Sequence, residues 1–373
     1  MPLAPLAAVK HRVQLGQPLP FGVRDADGTL LLARGHLIEG APQLDALLAR
    51  GALVELGELA DALSLARLAP RDQLPRLWAE AIRRLDQTLT DHAAAGFVAA
   101  LDEASAPLSA LVARDPDLAI FHVLHQGAGE DLTCGMRRSL QTAITATLVA
   151  RRLGWEDDEA TRSFKVALTM NLSMLELQGQ LASQHTPPTP AQREQLQTHP
   201  MRSLRLLEQA GVDDALWLEA VLQHHEVEDG SGYPAGRSDV CDLASLVRRA
   251  DIYTSKLSAR STRDALAADV AGRQMFMQDP GHPMTAALVK EFGIYPPGCH
   301  VRLHSGELAV VVARGSSITT PVVACLADAT GRPLPRPERV DTAARGCGVA
   351  SVVGEKSLTR PLPFERLMAA LVA

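Results

Sequence analysis

Apolar positions recur three and four apart through most of this chain, the spacing of one buried face of an α-helix. In "LPRLWAEAIRRLDQTLTDH", Leu74 to His92, the Leu, Ala and Ile positions keep that spacing. Helix ends are also written in the sequence. "TPAQ", Thr189 to Gln192, is a capping box with proline at the first helical position. Pro200 is expected to break that helix after His199. Asp213 or Asp214 caps the next helix, which runs into His224. A further helix is predicted from about Asp242 to Ser258, and "STRD", Ser261 to Asp264, starts another.

The period shortens toward both ends. Two short apolar runs flank Asp25-Ala-Asp-Gly28, a hairpin turn signal, and "PQLDALLARG" reads as a short helix ending at Gly51. "HVRLHSGELAVVV" and "PVVACLADATGRPL" read as hairpins with Ser-Gly and Thr-Gly turns. The expected organisation is a small β-containing domain over 1–56, a helical connector over 57–126, a helical domain over 127–295 and a β-hairpin extension over 296–373. The fold class is mainly α. The connector helices suit pairing between subunits and intramolecular packing equally well, so a homodimer stays open.

Composition narrows the function classes. A chain of 373 residues with 46% apolar and 21% charged positions is globular and larger than one core comfortably supports. Its net charge of −6 disfavours DNA as a partner, since a duplex binder is normally basic. A small anionic ligand needs only a locally positive pocket. The five scattered cysteines form no CxxC pair, which fits a reducing compartment. The start is too short and proline-interrupted for a secretory signal, and no apolar run reaches about 18 residues, so a cytoplasmic protein without membrane contact is expected.

Candidate chemistry centres on "HHEVEDGSGYP", His224 to Pro234. His199 lies before it, beside Pro200, and Asp251 after it, inside "RRADIYTSK". Three imidazoles and a carboxylate on helices or helix ends can converge on one metal, with Fe, Mn or Zn suited to that donor set. Spacing alone leaves the plainer reading open, in which these histidines are hydrogen-bonded core residues. A basic stretch over 237–263 carries Arg237, Arg248, Arg249, Lys256, Arg260 and Arg263, and arginine's planar fork suits phosphates.

"HHEVEDGSGYP" resembles the signature of the HD-GYP family, bacterial phosphodiesterases acting on cyclic di-GMP. "THP" at Thr198 to Pro200, "ADIY" at Ala250 to Tyr253, Arg260 and Arg263, and "GIYPPG" at Gly293 to Gly298 extend the resemblance over roughly residues 115–325. It implies an all-α bundle binding two or three metal ions, with His199, His224, His225 and Asp251 among the ligands. It also implies that Gly232, Tyr233, Pro234, Arg260 and Arg263 handle substrate. One part of the pattern is missing. Where the family has a His-Asp pair and a nearby lysine, this chain has Met170, Asn171 and Met174, and Arg138 stands near the place of an earlier metal histidine.

A carboxylate bridging two cations supplies charge that an asparagine cannot, and a thioether is a poor ligand for Fe(II), Mn(II) or Zn(II). The expectation is a site with no metal, or with a single divalent ion. The leading reading is a degenerate, non-hydrolytic member that binds cyclic di-GMP or a signalling protein. A phosphodiesterase with a reduced metal site and a pure interaction scaffold are the alternatives.

Overall fold

The computed structural model describes residues 3–13, 15–55, 61–125, 133–259, 261, 263–354 and 364–372. The chain divides into two compact units, Met1–Arg83 with Ala106–Arg114, and Arg84–Ser105 with Asp115–Ala373.

In the first unit, strands β1 (Leu3–Pro5), β2 (Val23–Arg24) and β3 (Leu30–Leu32) precede helix α1 (Ala41–Ala49) and strand β4 (Leu53–Glu55). The sheet order is β1-β4-β2-β3, with antiparallel neighbours. The β2–β3 turn forms at the expected Asp25-Ala-Asp-Gly28. The Asp25 carboxylate accepts from the Asp27 and Thr29 amides, and Gly28 takes a φ of +83°. Leu6, Val9, Phe21, Val23, Ile38 and Val54 are fully buried under the sheet and make the core of this unit. Helices α2 (Ala62–Leu68), α3 (Leu74–Thr90) and α4 (Phe97–Arg114) follow, and the unit division passes through the last two.

The second unit holds the site. Its helices are α5 (Pro116–Leu124), α6 (Cys134–Arg152), α7 (Asp157–Thr169), α8 (Leu175–Ser183), α9 (Pro190–Gln209), α10 (Ala215–Gln223), α11 (Asp242–Leu257), α12 (Ala268–Gln278) and α13 (Pro283–Phe292). Helix α6 is the central rod, packed by α5, α7, α8, α11 and α13 and buried nearly all round from Ser139 to Ala150. Its sequence suits that place. Small residues let neighbours approach, and the Thr142 and Thr147 hydroxyls return hydrogen bonds to the carbonyls of Arg138 and Ala143.

The capping box of Thr189 and Gln192 is present, and Asp214 caps α10 by accepting from the Trp217 amide. Two boundaries differ from expectation. Pro200 does not end its helix, for α9 continues to Gln209. Nor does a helix start at Ser261. The Ser261 amide is tied to the Ala182 carbonyl at the end of α8, and α12 begins only at Ala268.

The carboxyl-terminal strands β5 (His300–Leu303), β6 (Leu308–Ala313), β7 (Val322–Ala327), β8 (Pro333–Asp341) and β9 (Val349–Val352) form one antiparallel sheet of order β8-β7-β6-β5-β9. This stretch is not β throughout. A last helix, α14 (Phe364–Val372), returns Phe364 to the Phe121 ring at 5.7 Å between centroids. The architecture is therefore mainly α with two small antiparallel sheets. Among the described residues no helix is long and apolar enough to cross a membrane.

Candidate functional site

His199 sits mid-helix on α9, and His224 and His225 follow the last residue of α10. Their ligand atoms all lie within 4.8 Å of one another. Two breaks in helical hydrogen bonding set their orientation. Pro200 has no N–H to give the Leu196 carbonyl four residues back, and the His199 Nδ1–H donates to that oxygen instead, at 2.7 Å. At the end of α10 the Val221 carbonyl is among the last four, which lack an intrahelical partner, and the His224 Nδ1–H donates to it, also at 2.7 Å. The proline expected to terminate a helix thus leaves a carbonyl that orients a histidine.

Those two bonds fix the tautomers. With the proton on Nδ1 in each ring, both Nε2 atoms present lone pairs, and they face each other at 3.0 Å. Burial and the neighbouring His224 push the His199 pKa down to about 3, and burial and His225 do the same to His224. Burial and His199 lower His225 well below its ordinary value. All three rings are therefore neutral near pH 7. Two converging lone pairs repel unless a cation lies between them, and an imidazole whose other nitrogen donates to a carbonyl is the usual form of a metal-ligating histidine. The three rings fit one divalent ion.

They do not fit a two-ion centre. Asp251, expected as the fourth ligand, is taken by Arg138. The guanidinium donates through Nε and Nη2 to Oδ1 at 3.1 and 3.0 Å, and through Nη2 to Oδ2 at 2.9 Å. Met170 and Asn171 are buried at the end of α7, and the Asn171 Oδ1 has no hydrogen-bond partner among the described residues. It offers a neutral oxygen where a bridging site needs an anion.

The loop after His225 is held by its own acids. Glu226 is buried, and its two oxygens accept from the amides of Ala235 at 2.7 Å and Arg237 at 3.0 Å. Tyr233 stacks on His225 with 4.6 Å between centroids and 18° between planes, and burial raises its phenol pKa.

A cavity of about 420 Å³ opens beside this cluster, lined among others by Arg137, Arg138, Gln178, His199, His225, Tyr233 and Asp251. Gly232 and Pro234 belong to the loop but not to the lining. Arg263 bonds the Ser255 carbonyl near the end of α11 instead of reaching the cavity. Arg260 lies outside the described residues. Of the other basic residues, Arg249 is buried against Glu228 and Asp279, at 2.9 and 2.8 Å, and Arg237 pairs with Asp239, so both are structural cations. Arg137 and Gln178 line the cavity yet stood out in no motif. Gln178 could have been noticed only as a polar residue on an apolar-periodic segment.

The buried neutral imidazoles make the metal-free protein acid-sensitive. Their folded pKa values lie below the unfolded value of about 6.5, so the unfolded chain binds more protons between pH 6.5 and about 3. Stability is complete above pH 6.5 and falls as pH drops through that window, by up to about 1.4 kcal/mol per pH unit for each histidine. Urea unfolding of chelator-treated protein at pH 7 and pH 5 measures this. Equal midpoints would contradict it.

The HD domain family profile matches residues 128–273, the segment that contains the cluster. The chain is 35% identical over 162 residues to "Cyclic di-GMP phosphodiesterase PA4108" of Pseudomonas aeruginosa, a match covering 42% of this chain and 39% of that protein. It thus spans about two fifths of that relative's length. The solved structure of Bd1817, described as an HDG"Y"P protein from Bdellovibrio bacteriovorus, shares the fold. The TM-score is 0.51 at 13% identity, over 77% of this chain and 98% of that one.

Proposed function

We propose, for a chain that belongs to the HD-GYP family through its HD domain, that it acts in cyclic di-GMP signalling by binding the nucleotide without cutting it. One observation carries this reading. Arg138 holds both oxygens of Asp251, so the carboxylate that would complete a metal centre is already neutralised by a tethered cation. With Met170 and Asn171 supplying no anion, the paired-ion clamp on attacking and leaving oxygens cannot form. The reading places the chain in the cytoplasm with the nucleotide.

A second reading rests on the facing Nε2 atoms of His199 and His224. With His225 they would hold one divalent ion, which supplies Lewis-acid polarisation of a phosphoryl oxygen when bound. In that case the chain is a slow phosphodiesterase with a reduced centre.

Protein purified under reducing conditions separates the two when assayed for Fe, Mn and Zn and incubated with cyclic di-GMP. The expected result is no more than one ion per chain, saturable nucleotide binding and no product. Turnover to linear dinucleotide or GMP, abolished in His224→Ala, would establish the second reading in place of the first. Absence of any nucleotide binding at high micromolar concentration would leave a protein-binding scaffold.

A further inference from the structure

Arg138, in the second turn of α6, holds Asp251, in the middle of α11, through three hydrogen bonds of 2.9–3.1 Å. Both side chains line the cavity that His199 and His225 also line. Electrostatically, Arg138 reaches all three rings of the cluster, and Asp251 reaches His199 and His224. Yet the carboxylate is not one of the donor atoms grouped within 4.8 Å, which among the described residues are the three ring nitrogens alone. The acid beside the cluster is bonded to a cation that the protein itself carries.

Arg249 makes the contrast. It is 4% exposed and divides its bonds between two carboxylates, Glu228 and Asp279. The Arg138 side chain is 19% exposed, and among the described residues Asp251 is its ion-pair partner. A carboxylate already neutralised by a tethered cation adds little attraction for a second one. A carboxylate that turns to a divalent ion instead leaves the guanidinium, which cannot shed its proton, as a like charge at that ion's side.

We infer that Arg138 is an intramolecular competitor of the metal: Asp251 serves the guanidinium or a divalent ion at the histidine cluster, not both, and Arg138 thereby sets the metal affinity of the cluster. The inference rests on the one-ion reading of the cluster above and adds to it the residue that regulates the site. It makes the metal-poor state reversible. Without Arg138 the chain offers three neutral imidazoles and a free carboxylate, a four-donor set suited to a divalent ion.

The test is calorimetric titration of Mn²⁺ into the full chain after treatment with a chelator. Arg138→Gln is expected to bind Mn²⁺ about tenfold or more tighter than the wild type. Arg138→Gln combined with Asp251→Asn should lose that gain, because the gain belongs to the carboxylate and not to a roomier cavity. Arg138→Lys keeps a charge beside Asp251 but lacks the two-point fork, so it should fold as the wild type does and bind with intermediate affinity. That variant decides the question where Arg138→Gln fails to fold. Wild-type affinity in Arg138→Gln and Arg138→Lys would overturn the inference, while Mn²⁺ binding that is lost in His224→Ala would leave the one-ion reading standing. A gain that persists in the double variant would overturn the inference too. No Mn²⁺ binding by the wild type or by either single variant would remove the reading and the inference together.

Discussion

Asp251→Ala should destabilise the protein by about 3–5 kcal/mol, among the largest single-residue effects available in it. The Arg138 and Asp251 side chains are only 19% and 8% exposed and joined by charge-assisted bonds of 2.9–3.1 Å. Removing the carboxylate leaves a guanidinium, which cannot shed its proton, without its counter-charge at the cavity wall. The reverse change tells the two roles of the pair apart. Arg138→Met together with Asp251→Leu removes both charges and should cost far less, because a buried ion pair contributes little net stability over apolar replacements. Urea midpoints of the two variants and the wild type measure the difference. A single Asp251→Ala variant as stable as the double would show that the pair is solvated and not closed.

Gly232→Ala is the second large effect. A Cβ at this position would lie 2.5 Å from both the His225 carbonyl oxygen and the Val227 nitrogen, and closer still to the Glu226 Cα. All three are backbone atoms of the segment that carries His225, so the strain has no flexible side chain to absorb it. Overpacking in a well-packed place costs about 1–3 kcal/mol, and a clash with backbone belongs at or above the upper end. The displaced segment includes His225 and the Glu226 carboxylate that ties the loop to Ala235 and Arg237. Divalent-metal affinity should therefore fall along with stability. Ser231→Ala, one residue earlier and exposed, serves as the control and should leave both unchanged within about 0.5 kcal/mol. Equal behaviour of the two variants would mean the loop tolerates a side chain at Gly232.

Much of the helical scaffold could be read beforehand, and for identifiable reasons. Apolar spacing, the Thr189 capping box and the Asp214 cap are local signals, settled within a few residues of chain. Pro200 departs from its local preference to end a helix: α9 runs on to Gln209, and the carbonyl left without an amide donor takes the His199 Nδ1–H. Ser261 starts no helix because its amide bonds the Ala182 carbonyl on α8, a tertiary contact that no local pattern shows.

The sequence by itself determined which donors the site can offer. No folding can turn Met170 and Asn171 into a bridging carboxylate, or make Arg138 a metal ligand, because those are properties of the side chains alone. It determined the set of histidines for the same reason. Only the tertiary structure decided how these groups are used. Arg138 and Asp251 stand 113 residues apart in the chain, and nothing local indicates that one closes on the other. The facing Nε2 atoms of His199 and His224 depend on the middle of α9 meeting the end of α10 and on carbonyls that Pro200 and the end of α10 leave open. Composition and spacing fix what each residue can donate or accept. Distance and direction, which settle whether it does, arise only when the helices pack.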